Sequence, residues 1–214
     1  MSVSLYFGLP GCGKTTMMTA IAYKHLVSHK YKSPYKYVYG NVPLSIPGYI
    51  YIDNDCIGKY DLRNCLILID EATLFADSRD YKNIKKDVVE YFLEHRHFRA
   101  DIILFTQQWD GVDRKIRVIT DRVYYMYKPK LLGQWFSCCY RIPYGIIIPD
   151  PKKSDTERLG EIIQGYCKPH ILVRLFSPKL FRPKYYKYFD SFETPHRDPL
   201  PEKYNAYKVD KKSN

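Results

Sequence analysis

The stretch that most limits what this chain can fold into is Gly8-Leu9-Pro10-Gly11-Cys12-Gly13-Lys14-Thr15. Its spacing is G-x-x-x-x-G-K-S/T, the Walker A or phosphate-binding loop. Glycines let the backbone wrap closely and turn its N–H groups inward toward phosphate oxygens. Such a loop works only between a buried strand and the N-terminus of a helix. Both flanks are present. Val3 to Phe7 reads as a short buried strand. Thr16 to Val27 reads as a helix, with Met17, Ile21 and other apolar residues recurring at helical spacing. The candidate nucleotide-binding residues are Gly8, Pro10, Gly11, Cys12, Gly13, Lys14, Thr15 and Thr16. Lys14 is expected to reach the β- and γ-phosphates of ATP, and the Thr15 hydroxyl to ligate Mg²⁺.

The next strong signal is Cys65-Leu66-Ile67-Leu68-Ile69-Asp70-Glu71. An unbroken apolar run of this length marks a strand buried on both faces of a parallel sheet. Two carboxylates close it, at the edge where open α/β sheets bind their ligands. That is the place of Walker B. Asp70 is expected to support Mg²⁺ and Glu71 to polarise the attacking water. Ile102 to Thr106 reads as a further buried strand and ends in Gln107-Gln108. At that tip Gln107 is expected to sense the γ-phosphate and orient water.

Other elements are weaker. Tyr35 to Tyr39 and Tyr49 to Asp53 read as strands, with a Pro-rich turn at Val42 to Gly48 between them. Asp87 to Phe98 reads as a helix with Val88, Tyr91 and Phe92 on one face. Its end holds Glu94-His95-Arg96-His97. The two histidines fall on different faces, so they read as a basic helix end and not as metal ligands. Arg96 and Arg99 suit contact with a neighbouring subunit's phosphate. Asp113 to Ile119 carries Arg114, Lys115 and Arg117. Arg122 to Tyr127 reads as a strand, and a hairpin is expected from Gly133–Phe136 to Ile146–Ile148.

Beyond Pro149 the chain turns rich in Pro, Lys and Tyr. The expected division is an ATPase domain at 1–149, an extension packing on it at 150–199, and a flexible tail at 200–214. The aromatic and basic residues around Arg182 to Tyr188 suit either base stacking with phosphate neutralisation or packing on the domain.

The chain has 214 residues, 45% of them hydrophobic, which suits one domain with a sizeable core. Its net charge of +11 favours a polyanionic partner, nucleic acid or an anionic membrane surface. The six cysteines show no C-x-x-C pair and no zinc-knuckle spacing, so reduced thiols in a cytosol are expected. Cys12 sits inside the phosphate loop, where oxidation or alkylation is expected to block nucleotide. No signal peptide and no apolar run near the ~20 residues of a membrane span is seen, so membrane association would go through a partner.

The segments "GLPGCGKT", "LILIDEA", "EHRHFRADIILFTQQ", "DRKIRVITDRVYY" and "YKYFDSFET" occur in that order. Together they resemble the zonular occludens toxin-like ATPases, which include the filamentous-phage assembly protein and belong to the FtsK–HerA branch. The resemblance covers Ser2 to about Glu193. It implies an α/β P-loop NTPase, a RecA-like three-layer domain with a mainly parallel central sheet and a C-terminal extension. It also implies an ATP-driven motor acting on viral DNA, single- or double-stranded, in virion assembly or genome packaging. Such ATPases act as homo-oligomeric rings, with an arginine of one subunit reaching its neighbour's phosphate. By motif position Arg96 and Arg117 are the candidates, Arg117 preferred.

Filamentous-phage assembly proteins carry a membrane helix and a periplasmic segment after the ATPase domain. This sequence ends at Asn214 with neither. The expectation is therefore a cytosolic split version, or a packaging ATPase of another small virus. It would work in the host cytoplasm, or at the inner face of the membrane through coat or assembly proteins. Toxin activity on tight junctions is not implied by these motifs. The alternative reading is a nucleotide-switched assembly protein at the host membrane that moves no DNA. A small-molecule kinase needs an acceptor lid, and the stretch between Asp53 and Arg63 is too short to supply one.

Overall fold

The computed structural model describes residues 1–72, 86–108, 111–128, 138–144 and 179–190. Its frame is one eight-stranded sheet in the order β3-β2-β4-β5-β1-β6-β7-β8. The strands are β1 (Val3–Phe7), β2 (Tyr37–Gly40), β3 (Tyr49–Tyr51), β4 (Cys65–Ile69), β5 (Asp101–Thr106), β6 (Arg122–Tyr127), β7 (Cys138–Tyr144) and β8 (Lys179–Phe181). From β3 to β6 every pairing is parallel, and β7 and β8 add antiparallel strands beyond β6. β5 lies between β1 and β4, so the strand after Walker B separates the two Walker strands. This is the RecA-like arrangement.

The apolar runs explain the burial. Every residue of β4 is buried, as are the first four of β1. Side chains alternate between the two faces. Leu66, Leu68, Tyr6 and Phe105 join Met17, Met18 and Ala22 of α1 (Lys14–Leu26) in one core cluster. Cys65, Ile67, Ile69, Leu5 and Leu104 join Val88 and Phe92 of α2 (Lys86–Glu94) and Ile116 of α3 (Arg114–Val118) in the other. The result is three layers with α1 on one face and α2 and α3 opposite. Each fully buried large side chain contributes about 1.5–3 kcal/mol.

α1 starts two residues earlier than the sequence suggests and ends one earlier. α2 ends at Glu94, short of the expected Phe98. The reason is local. His95 turns inward, and its Nδ1–H donates to the Phe92 carbonyl at 2.7 Å, taking one of the acceptors a continuing helix would use. Arg99 then takes a left-handed conformation at φ 53° and the Ala100 N–H closes on His95 O at 2.9 Å, reversing the chain into β5. His95 is thus buried, at 4% exposure, and not a solvated helix end.

Both arms of the expected hairpin lie outside the described residues. The strand present there, β7, runs between those arms and pairs with β6, Val123 opposite Tyr144 and Tyr127 opposite Tyr140. The next described segment, Lys179–Phe181, adds to β7 as β8. It leads into a 3₁₀ segment, Arg182–Tyr188, that lies on α1. Tyr185 and Tyr188 contact the Tyr23 ring at centroid distances of 6.0 and 5.4 Å, and Ser45 N–H donates to Tyr188 O at 2.8 Å. These contacts favour packing on the domain for this aromatic stretch. Among the described residues no helix is long and apolar enough to cross a membrane.

Phe92, fully buried between α2 and the sheet, is predicted to be a stability anchor. Phe92→Ala should cost about 3–5 kcal/mol in denaturant unfolding, through lost contacts and the cavity left behind.

Candidate active site

Four strand tips meet at the C-terminal edge of the sheet. β1 delivers the phosphate loop, β4 delivers Asp70 and Glu71, β5 delivers Gln107, and β2 delivers Asn41. The loop is built around two tight requirements. Gly8 has no room for a side chain: a Cβ there would lie 2.6 Å from Met126 O and 2.9 Å from Cys12 Sγ. Gly13 opens α1 at φ 100°, a left-handed conformation that favours glycine. No side chain caps the start of α1, so its first N–H groups remain for an anion. Pro10 and Gly11 are exposed, whereas Cys12, Gly13 and Thr16 are buried.

Lys14 is buried with its Nζ donating to Gly8 O at 2.9 Å and Leu9 O at 3.4 Å. The ammonium thus sits inside the ring of its own loop. The Thr15 Oγ1 hydroxyl donates to Asp70 Oδ2 at 2.7 Å, joining Walker A to Walker B. Asp70 is buried, and burial pushes its carboxyl pKa up against the opposing pull of the Thr15 hydroxyl and the Glu71 N–H. Its Oδ1 accepts from that Glu71 N–H at 3.0 Å. Glu71 takes a left-handed φ of 52°, a conformation that costs a non-glycine residue about 1 kcal/mol or more. That kink directs the Glu71 carboxylate toward β5, where Gln107 Nε2 donates to Glu71 Oε1 at 2.9 Å. The Thr106 hydroxyl holds the turn beneath Gln107 by donating to Gln108 O at 3.0 Å.

Thr15 and Asp70 offer hard oxygen donors side by side, with the carboxylate held in a buried setting that a cation would relieve. These are suitable for Mg²⁺. Among the described residues no cluster of three or more His, Cys, Asp or Glu is placed to hold a metal. Two oxygen donors suit an ion that takes its other ligands from water and substrate phosphates, the usual Mg²⁺ habit.

Arg96 is held away from this chain's own loop. Arg96 is exposed and reaches Asp121 Oδ1 at 3.7 Å, beside the N-terminal ends of β1 and β6. Arg117 is half-buried in α3. Cys12 lies inside the loop with its thiol covered. It is 5% exposed, and burial raises its pKa against the pull of Lys14 and Arg182. A buried thiol held protonated is a poor target for alkylation.

Sequence reading passed over Asn41. Its side-chain amide bonds both main-chain groups of Asp70: Nδ2 donates to Asp70 O at 2.8 Å, and Oδ1 accepts from Asp70 N at 2.7 Å. The available signal was its position one residue after a strand in parallel register with β4.

The family model "Zonular occludens toxin (Zot)" matches residues 51–161. The crystal structure of the N-terminal domain of zonular occludens toxin from Neisseria meningitidis is similar to this chain. Its TM-score is 0.54 at 18% identity, covering 88% of this chain and 98% of that one. The genome packaging NTPase B204 from Sulfolobus turreted icosahedral virus 2, in complex with sulfate, aligns with TM-score 0.46 and 15% identity, over 64% of this chain and 79% of that one. No curated protein matches the sequence. The likeness to the Neisseria domain shows the fold.

The raised pKa of Asp70 has a signed consequence. Between its ordinary value and the raised one, the folded protein binds more protons than the unfolded chain, so this group's contribution to stability falls as pH rises. Asp70→Asn keeps the shape and removes the charge. It should unfold at a higher denaturant concentration than the parent at pH 7, with the gap closing as pH is lowered toward 4 (about the ordinary carboxylate range).

Proposed function

The chain belongs to the zonular occludens toxin family, and on that premise we propose that it is an ATP-hydrolysing motor of phage assembly, coupling hydrolysis to DNA export or genome packaging. The observation that carries the reading is the run of contacts from Thr15 to Asp70 and from Glu71 to Gln107. It brings the Gly8–Thr15 loop, the Asp70 and Glu71 carboxylates and the Gln107 amide together at one sheet edge. Each has a separate task. Lys14 leaves the Gly8 and Leu9 carbonyls for the β- and γ-phosphate oxygens of ATP. The loop's backbone from Gly8 to Thr16 and the start of α1 hold the remaining phosphate charge. Thr15 and Asp70 hold Mg²⁺, which when bound neutralises charge on the phosphates. Glu71 accepts a proton from the attacking water, and Gln107 orients that water.

Arg117 or Arg96 acts in trans, from the neighbouring subunit of a ring, on the transferring phosphoryl group. The net charge of +11 supports viral DNA as the track. Phage coat or membrane assembly proteins are the further partners, with the protein working in the host cytoplasm or against the inner face of its membrane.

The test is steady-state ATP turnover with Mg²⁺ at low salt, alone and with single- or double-stranded DNA. Turnover should rise with one of the DNAs, and the stimulation should fade as salt is raised. Lys14→Ala should lose turnover while staying folded. Glu71→Gln should bind ATP and lower kcat by about 10²–10⁴-fold. Retained turnover in Lys14→Ala would sink the site. Turnover indifferent to both DNAs would favour the nucleotide-switched assembly protein, its positive surface meeting a coat protein or membrane instead.

A further inference from the structure

The carboxylate pair does not stand on its strand alone. β4 ends at Ile69, so Asp70 and Glu71 lie beyond the ladder that fixes the rest of that strand. Glu71 is also in a left-handed conformation, which its own backbone does not favour. Something must hold this tip at a fixed angle. Asn41 does so with the two ends of one amide. It bonds Asp70 N–H and C=O at 2.7 and 2.8 Å, the pairing a continuing strand would have made. Its main-chain N–H is occupied as well, donating to Leu68 O at 3.3 Å.

The orientation of that amide is fixed from the outside. Asn41 Nδ2 also donates to Asn54 Oδ1 at 2.9 Å. Asn54 opens the 3₁₀ turn that follows β3. With Nδ2 held by two acceptors, Oδ1 is left to face the Asp70 N–H. A flipped amide would break these bonds and set like groups against each other. A polar chain thus runs from Asn54 through Asn41 and Asp70 to Thr15, and by the Glu71 side chain to Gln107. The Asn41 amide is engaged with Asp70 and Asn54, so it bears on the site through the Asp70 main chain.

We propose that Asn41 is a positioning residue for hydrolysis: its amide clamps the Asp70 main chain so that Asp70 faces Thr15 while Glu71 faces Gln107, and Asn54 sets the orientation of that amide. This rests on the hydrolysis reading above and deepens it. Residues that orient a metal-supporting group from behind change activity or metal affinity by about 10–100-fold when removed. Without the clamp the phosphate loop is untouched, but the two carboxylates lose their fixed directions. The effect should therefore fall on kcat and on the Mg²⁺ requirement, not on nucleotide affinity as such.

The experiment compares parent, Asn41→Ala and Asn54→Ala proteins in three measurements: ATP turnover, binding of a fluorescent mant-ATP with and without Mg²⁺, and exchange of the Asp70 amide hydrogen in nucleotide-free protein. Asn41→Ala should lower kcat by at least about ten-fold. The Mg²⁺ concentration needed for half-maximal turnover should rise by a similar factor. The affinity for mant-ATP in EDTA should stay within about two-fold, as expected when only catalysis-specific interactions are removed. The Asp70 amide should exchange at least about ten-fold faster, because its acceptor is gone. Asn54→Ala should shift each quantity in the same direction and by less.

A parent protein that binds mant-ATP but never turns ATP over sinks the hydrolysis reading; the Mg²⁺ dependence of mant-ATP binding and the Asp70 exchange then decide the clamp by themselves. An active parent with unchanged kcat and Mg²⁺ requirement in folded Asn41→Ala overturns the positioning role. So does loss of fold in both variants, since the amides would then hold the sheet and not aim the carboxylates.

Discussion

A single hydrogen bond, from the Thr15 hydroxyl to the Asp70 carboxylate, shows what the rest of the molecule is arranged to produce. The two residues are 55 positions apart, Thr15 in the first turn of α1 after β1 and Asp70 just past β4, and those two strands do not pair with each other. β5 lies between them and supplies the tip that carries Gln107. Three parallel strands in this order put a hydroxyl, two carboxylates and an amide within reach at one edge. Parallel pairing is what makes this possible, because it points every C-terminal tip the same way. The two-sided burial of β1 and β4 follows from it, since helices must then cover both faces.

The site holds several groups in states they would not choose elsewhere. Asp70 is a buried carboxylate with a raised pKa. Glu71 sits at a positive φ, and Lys14 is buried among carbonyl oxygens. Each has a compensating contact: the Thr15 hydroxyl and Glu71 N–H for Asp70, the Gln107 amide for Glu71, the loop carbonyls for Lys14. A buried charge with hydrogen bonds costs far less than one without. On the hydrolysis reading, phosphate oxygens would take the place of the loop carbonyls at Lys14, and a divalent ion would sit against Asp70.

Much of this was legible in the sequence, for reasons that differ by element. β1, β4 and β6 are found at the expected bounds, since strands buried on both faces or rich in β-branched and aromatic residues announce themselves. The meeting of the Gly8–Thr15 loop, Asp70, Glu71 and Gln107 at one sheet edge was readable because each sits at a fixed step from a strand end. The close of α2 was not, because the apolar spacing runs on to Phe98 while a single inward imidazole ends the helix at Glu94. Asn41 escaped for a related reason. Its value lies in a pairing with main-chain atoms 29 residues away, and such a pairing leaves no mark in residue type. The seating of Tyr185 and Tyr188 on Tyr23 likewise depends on contacts between distant segments, so composition alone left packing and base stacking equally open.

The central place of β1 also sets an order of events during synthesis. β1 is among the first segments made, yet both of its neighbours come late: Leu5 pairs with Leu104 on one side and Val123 on the other. Until those residues exist, the strand that anchors the phosphate loop has no edge to join. At about 5–20 residues per second, that wait is on the order of ten seconds on the ribosome. The β2–β4 pair can form earlier, from contacts less distant in the chain. β1 can join the sheet only once β5 has been made, and β6, β7 and β8 then follow on its other side in chain order. Long-range pairing of this kind is slow to nucleate. The stretch written first in the chain is held in place only by strands made about a hundred residues later.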